Sequence, residues 1–180
     1  MPTLRDKIQL HGKLKIQVKD AITGKVLKTI AINNQIMFRA ADVIVNLLAQ
    51  RAADGIIADS QMYTMRMGSG SATPVRSDTD LVAPLFGYKF TDSDKVTVVP
   101  GELSFAATMT ALEGNSGSPS YCEAGLFTKG AGTGVLDATD PLLSSAVAPR
   151  MFARQVHPAI AKTAAISLTY NWAIAFTFTP

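Results

Sequence analysis

The sequence is poor in the residues that most often carry out chemistry. Its 180 residues include one cysteine, two histidines and one tryptophan. A single cysteine, Cys122, excludes an internal disulfide and a cysteine-based zinc site. His11 and His157 lie far apart in the chain and have no paired carboxylate pattern, and His157, next to Pro158, is interpreted as an edge or loop residue. We therefore expect no metal, no cofactor and no catalytic group from these residues, with Cys122 a core thiol.

Charge and long apolar runs are also scarce. Only 17% of the residues are charged, against about 25% in a typical soluble protein. So little charge predicts that part of the surface is covered by copies of the chain or by a partner. No apolar run approaches the roughly 20 residues of a membrane span, and the start "MPTLRDKIQLHG" lacks a signal-peptide core. We expect one domain, residues 1–180, made in a bacterial cytoplasm.

The net charge of +3 is unevenly distributed, because lysines concentrate near the start of the chain. Lys13, Lys15 and Lys19 stand at even spacing and would share one face of a strand. Residues 1–37 contain no phenylalanine, tyrosine or tryptophan. Because binding of nucleic acid would favour aromatic side chains among the lysines, we expect no direct nucleic-acid role. The lysines are interpreted as a solvated hairpin face that protects a sheet edge.

Most of the chain shows the two-residue period of β-strands. Residues 12–33 predict a hairpin with its turn at "DAITGK", available as an attachment arm. In the last strand, seven large residues alternate with small ones, from Ile166 through Trp172 to Phe178, which predicts one face buried in a core. The exception is "QIMFRAADVIVNLLAQRAA", which predicts a helix near residues 35–52. The predicted fold is mainly β: an antiparallel β-sandwich with one packed α-helix.

Two glycine-containing segments could suggest an enzyme. "GSGS" at 68–71 has neither a following helix nor the lysine of a phosphate-binding loop, so it is interpreted as a connection. "GNSGSP" at 114–119 resembles the nucleophile segment of chymotrypsin-fold serine proteases, with Ser116 as the nucleophile. The only histidine upstream is His11, which precedes the position where such a barrel could begin. A small serine protease stays the lesser alternative to a non-enzyme.

Four segments, taken in order, resemble a group of tailed-bacteriophage virion proteins that includes tail, neck or collar, and fibre-attachment components. Each of them is read directly from the sequence: "NNQIMFRAADVIVNLLAQ", "MYTMRMGSGSATPVRSDTDLVAPL", "CEAGLFT" and "RMFARQVHPAIAKTAAISLTYNWAIAF". The resemblance spans roughly residues 33 to 178. It implies a non-enzymatic collar, neck or tail-associated protein in the virion, present in many copies that contact one another and portal, connector, tail or capsid proteins. A capsid decoration protein is the main alternative.

Within these motifs, "GSGSATPVRSDTDL" is predicted to let a strand leave one sheet and to present Leu81 and Leu85 to the core. Asp78 is expected to hydrogen-bond the loop backbone. Glu123 lies in an apolar strand, and a buried carboxylate needs a partner. We expect that partner to be Arg150 or Arg154, with an exposed edge carboxylate as the alternative. These residues and Trp172 are the structural and interaction candidates; no catalytic, cofactor or metal residue is predicted.

Overall fold

The computed structural model describes residues 7–38, 40, 44, 62–91, 94–99, 101–115, 117, 119–128 and 151–179. These residues form nine β-strands, and every pair of hydrogen-bonded neighbours is antiparallel. The strands are β1 (Lys7–Asp20), β2 (Val26–Ile36), β3 (Met62–Gly68), β4 (Pro84–Lys89), β5 (Lys95–Val99), β6 (Glu102–Met109), β7 (Ser120–Thr128), β8 (Met151–Ala161) and β9 (Ile166–Thr179). The predicted mainly β, antiparallel fold is confirmed.

The strands form two sheets that share β2. Sheet A has the order β2-β1-β9-β6-β5, and sheet B has the order β4-β3-β7-β8. Most of β2 pairs with β1, but its last two residues, Gln35 and Ile36, pair with Arg154 and Ala153 of β8. The nine strands therefore follow one continuous hydrogen-bonded order, and β2 passes from one sheet to the other.

The longest pairing joins β1 to β9, from Lys7 opposite Thr179 to Asp20 opposite Ile166. The alternation predicted from the sequence is present in both strands. In β1, Leu14 and Ile16 are fully buried, while the alternating Lys13 and Lys15 are exposed. In β9, Tyr170 and Trp172 are fully buried. The predicted hairpin is therefore built into sheet A along its whole first strand.

A single core cluster takes side chains from both sheets. It includes Leu14 of β1, Phe105 of β6 and Trp172 of β9 from sheet A, and Met65 of β3 and Leu126 of β7 from sheet B. Ring contacts join the two sheets: the His157 and Tyr170 ring centroids lie 5.8 Å apart. Burial of this apolar surface is the main term that stabilises the arrangement.

The packed helix predicted near residues 35–52 is not seen in the described part of the chain. Gln35 and Ile36 belong to β2, because their backbone groups continue the pairing into sheet B. Met37 and Phe38 follow without helical backbone, and helical backbone is described only at Ala40 and Ile44. Residues 39, 41–43 and 45–52 lie outside the described residues. Among the residues that are described, no helix has the length and apolar character needed to cross a membrane.

Candidate functional site

The most elaborate polar site lies on the outward side of sheet B, beneath residues 69–83. Strand alternation turns Met65 and Met67 of β3 into the main core, so Arg66 and Gly68 face the other way. A second apolar cluster lies on this outward side and includes Leu81, which is 6% exposed. Its members are Met37, Leu81, Phe127 and Met151. Segment 69–83 thus covers sheet B, and Leu81 is buried as predicted.

Glu123 of β7 is completely buried at the centre of this site. Its Oε1 accepts hydrogen bonds from the backbone N–H groups of Gly70 at 3.0 Å and Ala83 at 2.8 Å. Its Oε2 accepts from the N–H of Val82 at 3.2 Å. The same oxygen also accepts hydrogen bonds from Nε and Nη2 of Arg154, at 3.1 and 2.8 Å. The carboxylate therefore holds both ends of segment 69–83 while an arginine compensates its charge.

Arg154 of β8 uses all three guanidinium nitrogens and is 1% exposed. Besides Glu123, it donates from Nη1 to Oδ2 of Asp78 at 2.7 Å and from Nη2 to the carbonyl oxygen of Ala72 at 3.1 Å. Asp78 also accepts from the N–H of Val75 at 3.0 Å, the loop-backbone bond expected of it. The expected partner of Glu123 is thus Arg154, and the exposed-carboxylate alternative is wrong. Arg150 lies outside the described residues.

Arg66 forms a second ionic contact under the same segment. Its Nη1 lies 3.4 Å from Oδ1 of Asp80, and its guanidinium carbon lies 4.5 Å from the centroid of the Phe127 ring. The arginine is 3% exposed, whereas the Asp80 side chain is 55% exposed. Because Asp80 is in solvent, removing it should cost less stability than removing one partner of the buried Glu123–Arg154 pair.

The two glycines of "GSG" are required by the close approach of Glu123. A Cβ atom at Gly68 would lie 2.7 Å from Oε1 of Glu123 and would also collide with the carbonyl oxygen of Ala83. A Cβ atom at Gly70 would collide with the same Oε1 and would lie 2.6 Å from Cβ of Val82. Real Cβ atoms do not approach so closely, so only glycine leaves room for the carboxylate. The glycine segment packs against the Glu123 side chain of the same protein. This agrees with its interpretation as a connecting loop.

Cys122 was expected to be a core thiol, but it is half-buried, belongs to neither core cluster and instead contacts segment 69–83. Its thiol donates to the carbonyl oxygen of Ser69 at 2.9 Å. Burial and, to a smaller extent, the charge of Glu123 raise the pKa of the thiol above its ordinary value. A raised pKa keeps Cys122 protonated, so it is a poor nucleophile at neutral pH.

Lys162 contacts the loop that follows β6, through Asn115 and Pro119. The sequence analysis did not identify this lysine as a site residue. It is 1% exposed, and its ammonium donates to Oδ1 of Asn115 at 2.8 Å and to the carbonyl oxygen of Thr163 at 2.9 Å. Burial lowers its pKa, and the charge of Glu113 opposes that shift. Tyr121 donates its hydroxyl to the carbonyl oxygen of Gly114 at 3.1 Å. The sequence signal that could have identified Lys162 is the "KT" pair, Lys162 and Thr163, in the last of the four resembling segments.

The protease interpretation of "GNSGSP" gains no support from the position of His11. His11 pairs with Ala175 of β9, whereas Met109, which leads into residues 110–119, pairs with Leu168. Seven strand positions correspond to about 23 Å. His11 is exposed, and its ring nitrogen lies 3.1 Å from the hydroxyl of Thr177. Ser116 itself lies outside the described residues.

The sequence expectations for His157 and Leu85 also differ from the structure. His157 was expected at an edge or in a loop, but it lies in β8 and is 4% exposed. The strand pairing shifts between Tyr121 and Glu123, opposite this part of β8, and the His157 ring packs on Tyr170. Leu85 was expected in the core, but it is 42% exposed at the start of β4.

Burial changes the proton affinity of both rings in this contact. Burial lowers the pKa of His157, and weaker effects of its contact with the Pro158 carbonyl and of the Glu123 charge oppose that shift. Burial also raises the pKa of Tyr170. Among the described residues, Nε2 of His157, the hydroxyl of Tyr170 and Nε1 of Trp172 have no hydrogen-bond partner. Trp172, a structural and interaction candidate from the sequence, is fully buried and belongs to the core.

Comparisons with protein-family models, with curated proteins and with solved structures found no match for this chain. Within the described ranges, no three histidine, cysteine, aspartate or glutamate side chains lie close enough together to hold a metal ion. The described polar groups of the site bind one another, and their hydrogen bonds attach segment 69–83 to sheet B.

Replacing Glu123 with glutamine is expected to lower the free energy of unfolding by about 3–5 kcal/mol. The change keeps the shape but leaves the buried Arg154 guanidinium with Asp78 as its one carboxylate partner among the described residues. Urea denaturation followed by circular dichroism measures the loss. Glu102→Gln, at a half-buried position on β6, is the matched control and should change stability by less than about 0.5 kcal/mol. A Glu123→Gln loss as small as the control's would contradict the role of the pair.

The buried His157 predicts a specific loss of stability in acid. Its pKa is lowered in the folded state, so below its ordinary value of 6.5 the unfolded chain binds more protons and unfolding is favoured. Between about pH 7.5 and about pH 5.5 this residue should cost up to about 1.4 kcal/mol. His157→Phe should remove that part of the pH dependence, whereas His11→Gln, at an exposed position, should retain it. Identical pH profiles for wild type and His157→Phe would refute the assignment.

Proposed function

We propose that this protein is a non-enzymatic structural component of a tailed-phage virion, a multi-copy collar, neck or tail-associated protein. The proposal begins from the four ordered segments that resemble such virion proteins. We also propose that sheets A and B pack as a β-sandwich around the core that they share. Its partners are copies of itself and other virion proteins, and it is assembled into the virion after synthesis in the host cytoplasm.

The observation that carries the proposal is how the resembling segments use their polar residues. "GSGSATPVRSDTDL" supplies N–H donors and Asp78, "CEAGLFT" supplies Glu123, and "RMFARQ" supplies Arg154, and these groups bind one another. Residues that a resemblance highlights in an enzyme would point at a substrate, with donors left open to receive it. Here their hydrogen bonds are made internally, which favours a scaffold whose motifs maintain its shape.

A scaffold that works by subunit contact also needs apolar surface to bury. The β1–β2 hairpin presents Ile22 in its turn, 95% exposed, and Leu27 at the start of β2, 56% exposed. Segment 69–83 presents Val75 at 52% and Val82 at 60%, and Leu112 is 89% exposed in the loop after β6. Isolated apolar side chains are ordinary on any surface, but here they occur with an unusually low charged fraction of 17%. In a ring, many modest contacts of this kind add up to stable assembly.

The purified protein is expected to form a discrete oligomer, measured as its native mass by light scattering across a range of concentrations. Ile22→Ser combined with Leu27→Ser should shift the equilibrium toward monomer, because it removes apolar contact area from the hairpin turn. Thr29→Ser combined with Ala31→Ser, on the exposed part of β2, is the control and should leave the mass unchanged.

A monomer at all concentrations would contradict the ring and would favour a capsid decoration protein that orders on its partner. A second outcome would contradict the non-enzymatic assignment itself. That outcome is labelling of Ser116 by a serine-directed covalent probe, with the labelling abolished by substitution of His11.

A further inference from the structure

The lysines of β1 do not protect a sheet edge. In the described sheet, β1 has β2 on one side and β9 on the other, so both of its backbone edges are already paired. Edge protection by lysine applies to strands with an unpaired edge. Edge protection is therefore wrong for Lys13 and Lys15, whereas the expected solvated face is present, because both lysines are exposed near the middle of the sheet.

The register of sheet A shows what surrounds these lysines. Lys13 lies between Asn33 of β2 and Ala173 of β9, and Lys15 lies between Ala31 and Asn171. The next residue along this face of β1, Gln17, lies between two threonines, and β6 continues the face with Ser104, Ala106 and Thr108. The neighbours on the adjacent strands are all shorter than lysine, so the lysine side chains can extend beyond them, and the exposed His11 lies next to Lys13 along β1.

The hairpin that carries this face is cationic. Residues 7–36, the β1–β2 hairpin, contain six lysines and one acidic residue, Asp20, a formal charge of +5. The whole chain carries +3, so the rest of the protein carries −2. On the outward face of β2, β1, β9 and β6, the one acidic residue described is Glu102, which pairs with Ala175 at the end of the face away from Lys19. Neither Lys13 nor Lys15 has an ion-pair partner in the described part of the chain.

We propose that the outward face of sheet A binds the phosphate backbone of duplex nucleic acid without reading its sequence, through Lys13, Lys15 and Lys19. Phosphate contacts are made by lysine together with serine, threonine, asparagine and glutamine side chains, which are the types this face presents. Successive outward residues of a strand stand about 7 Å apart, a spacing that resembles that of phosphates along one nucleic-acid strand. The proposal is independent of the proposed virion role.

The same composition disfavours a protein partner on this face. Protein interfaces are enriched in aromatic residues, methionine and arginine and are depleted in lysine, serine and alanine. The outward face of β2, β1, β9 and β6 has the reverse composition. A second copy stacked face to face would also place one lysine ridge against another. The proposal departs from the expectation, drawn from the lack of aromatic residues, of no direct nucleic-acid role. Among the described residues of this face that lack argues against base stacking on single strands, but phosphate contacts to a duplex do not require stacking.

The test measures binding of the full chain to a short duplex DNA of mixed sequence by fluorescence anisotropy, with salt varied from about 50 to about 200 mM. Wild type should bind with an affinity that falls steeply with salt. Lys13→Gln combined with Lys15→Gln should weaken binding at least about tenfold at the lower salt and reduce the slope of log affinity against log salt by about two. Both positions are exposed, so the variant should unfold at the wild-type temperature.

The matched control is Lys25→Gln combined with Lys28→Gln, which removes the same charge from the same hairpin but from its turn and the start of β2. This control should retain the wild-type slope to within about one unit. An equal loss in both double variants would overturn the proposal, because net charge alone would then explain the binding. Tighter binding to poly-glutamate than to DNA would overturn it in favour of an acidic protein partner, and an absence of DNA binding at the lower salt would overturn it directly.

Discussion

The outward side of sheet B depends on one buried ion pair. Glu123 and Arg154 are excluded from water, and their side chains meet at 2.8 Å. Moving two charges into a protein interior is costly unless their remaining hydrogen-bonding capacity is filled. Here three backbone N–H groups complete the carboxylate, and Asp78 and a carbonyl oxygen complete the guanidinium. The need to satisfy these charges fixes the path of segment 69–83, and with it the need for glycine at 68 and 70.

This constraint connects distant parts of the chain. Arg154 pairs in register with Gln35 at the end of β2, the strand that belongs to both sheets. The N–H of Phe38, just beyond that strand, donates to the carbonyl oxygen of Arg76 in segment 69–83 at 3.0 Å. The ionic network therefore lies where sheet A passes into sheet B. The two outward faces differ: segment 69–83 covers that of sheet B, whereas Lys13 and Lys15 on sheet A are exposed.

Sequence reasoning succeeded where the physical requirement is local. Strict alternation in β9 and β1 predicts buried faces, and a glutamate in an apolar strand predicts a cationic partner. It failed where the outcome depends on long-range pairing. His157 followed by Pro158 looks like an edge, but β8 continues past it to pair with β7 at Ile160 and Ala161. Alternation from Ala153 places the His157 ring on the core side, where it packs on Tyr170. Gln35 and Ile36 fit a helical pattern, but the open edge of β8 pairs with them. Nothing local distinguishes Arg154 from Arg150, or shows that β9 covers the second edge of the lysine-bearing strand.

Native-state amide hydrogen exchange tests the central claim most directly, namely that the Glu123 carboxylate binds segment 69–83 to sheet B. The amides of Gly70, Val82 and Ala83 donate to that carboxylate. They should exchange far more slowly than the amides of Ser71 and Thr73, whose residues are exposed in the same segment. Exchange of all five amides at the rate of an exposed loop would contradict the account, because the segment would then lie free of the ion pair.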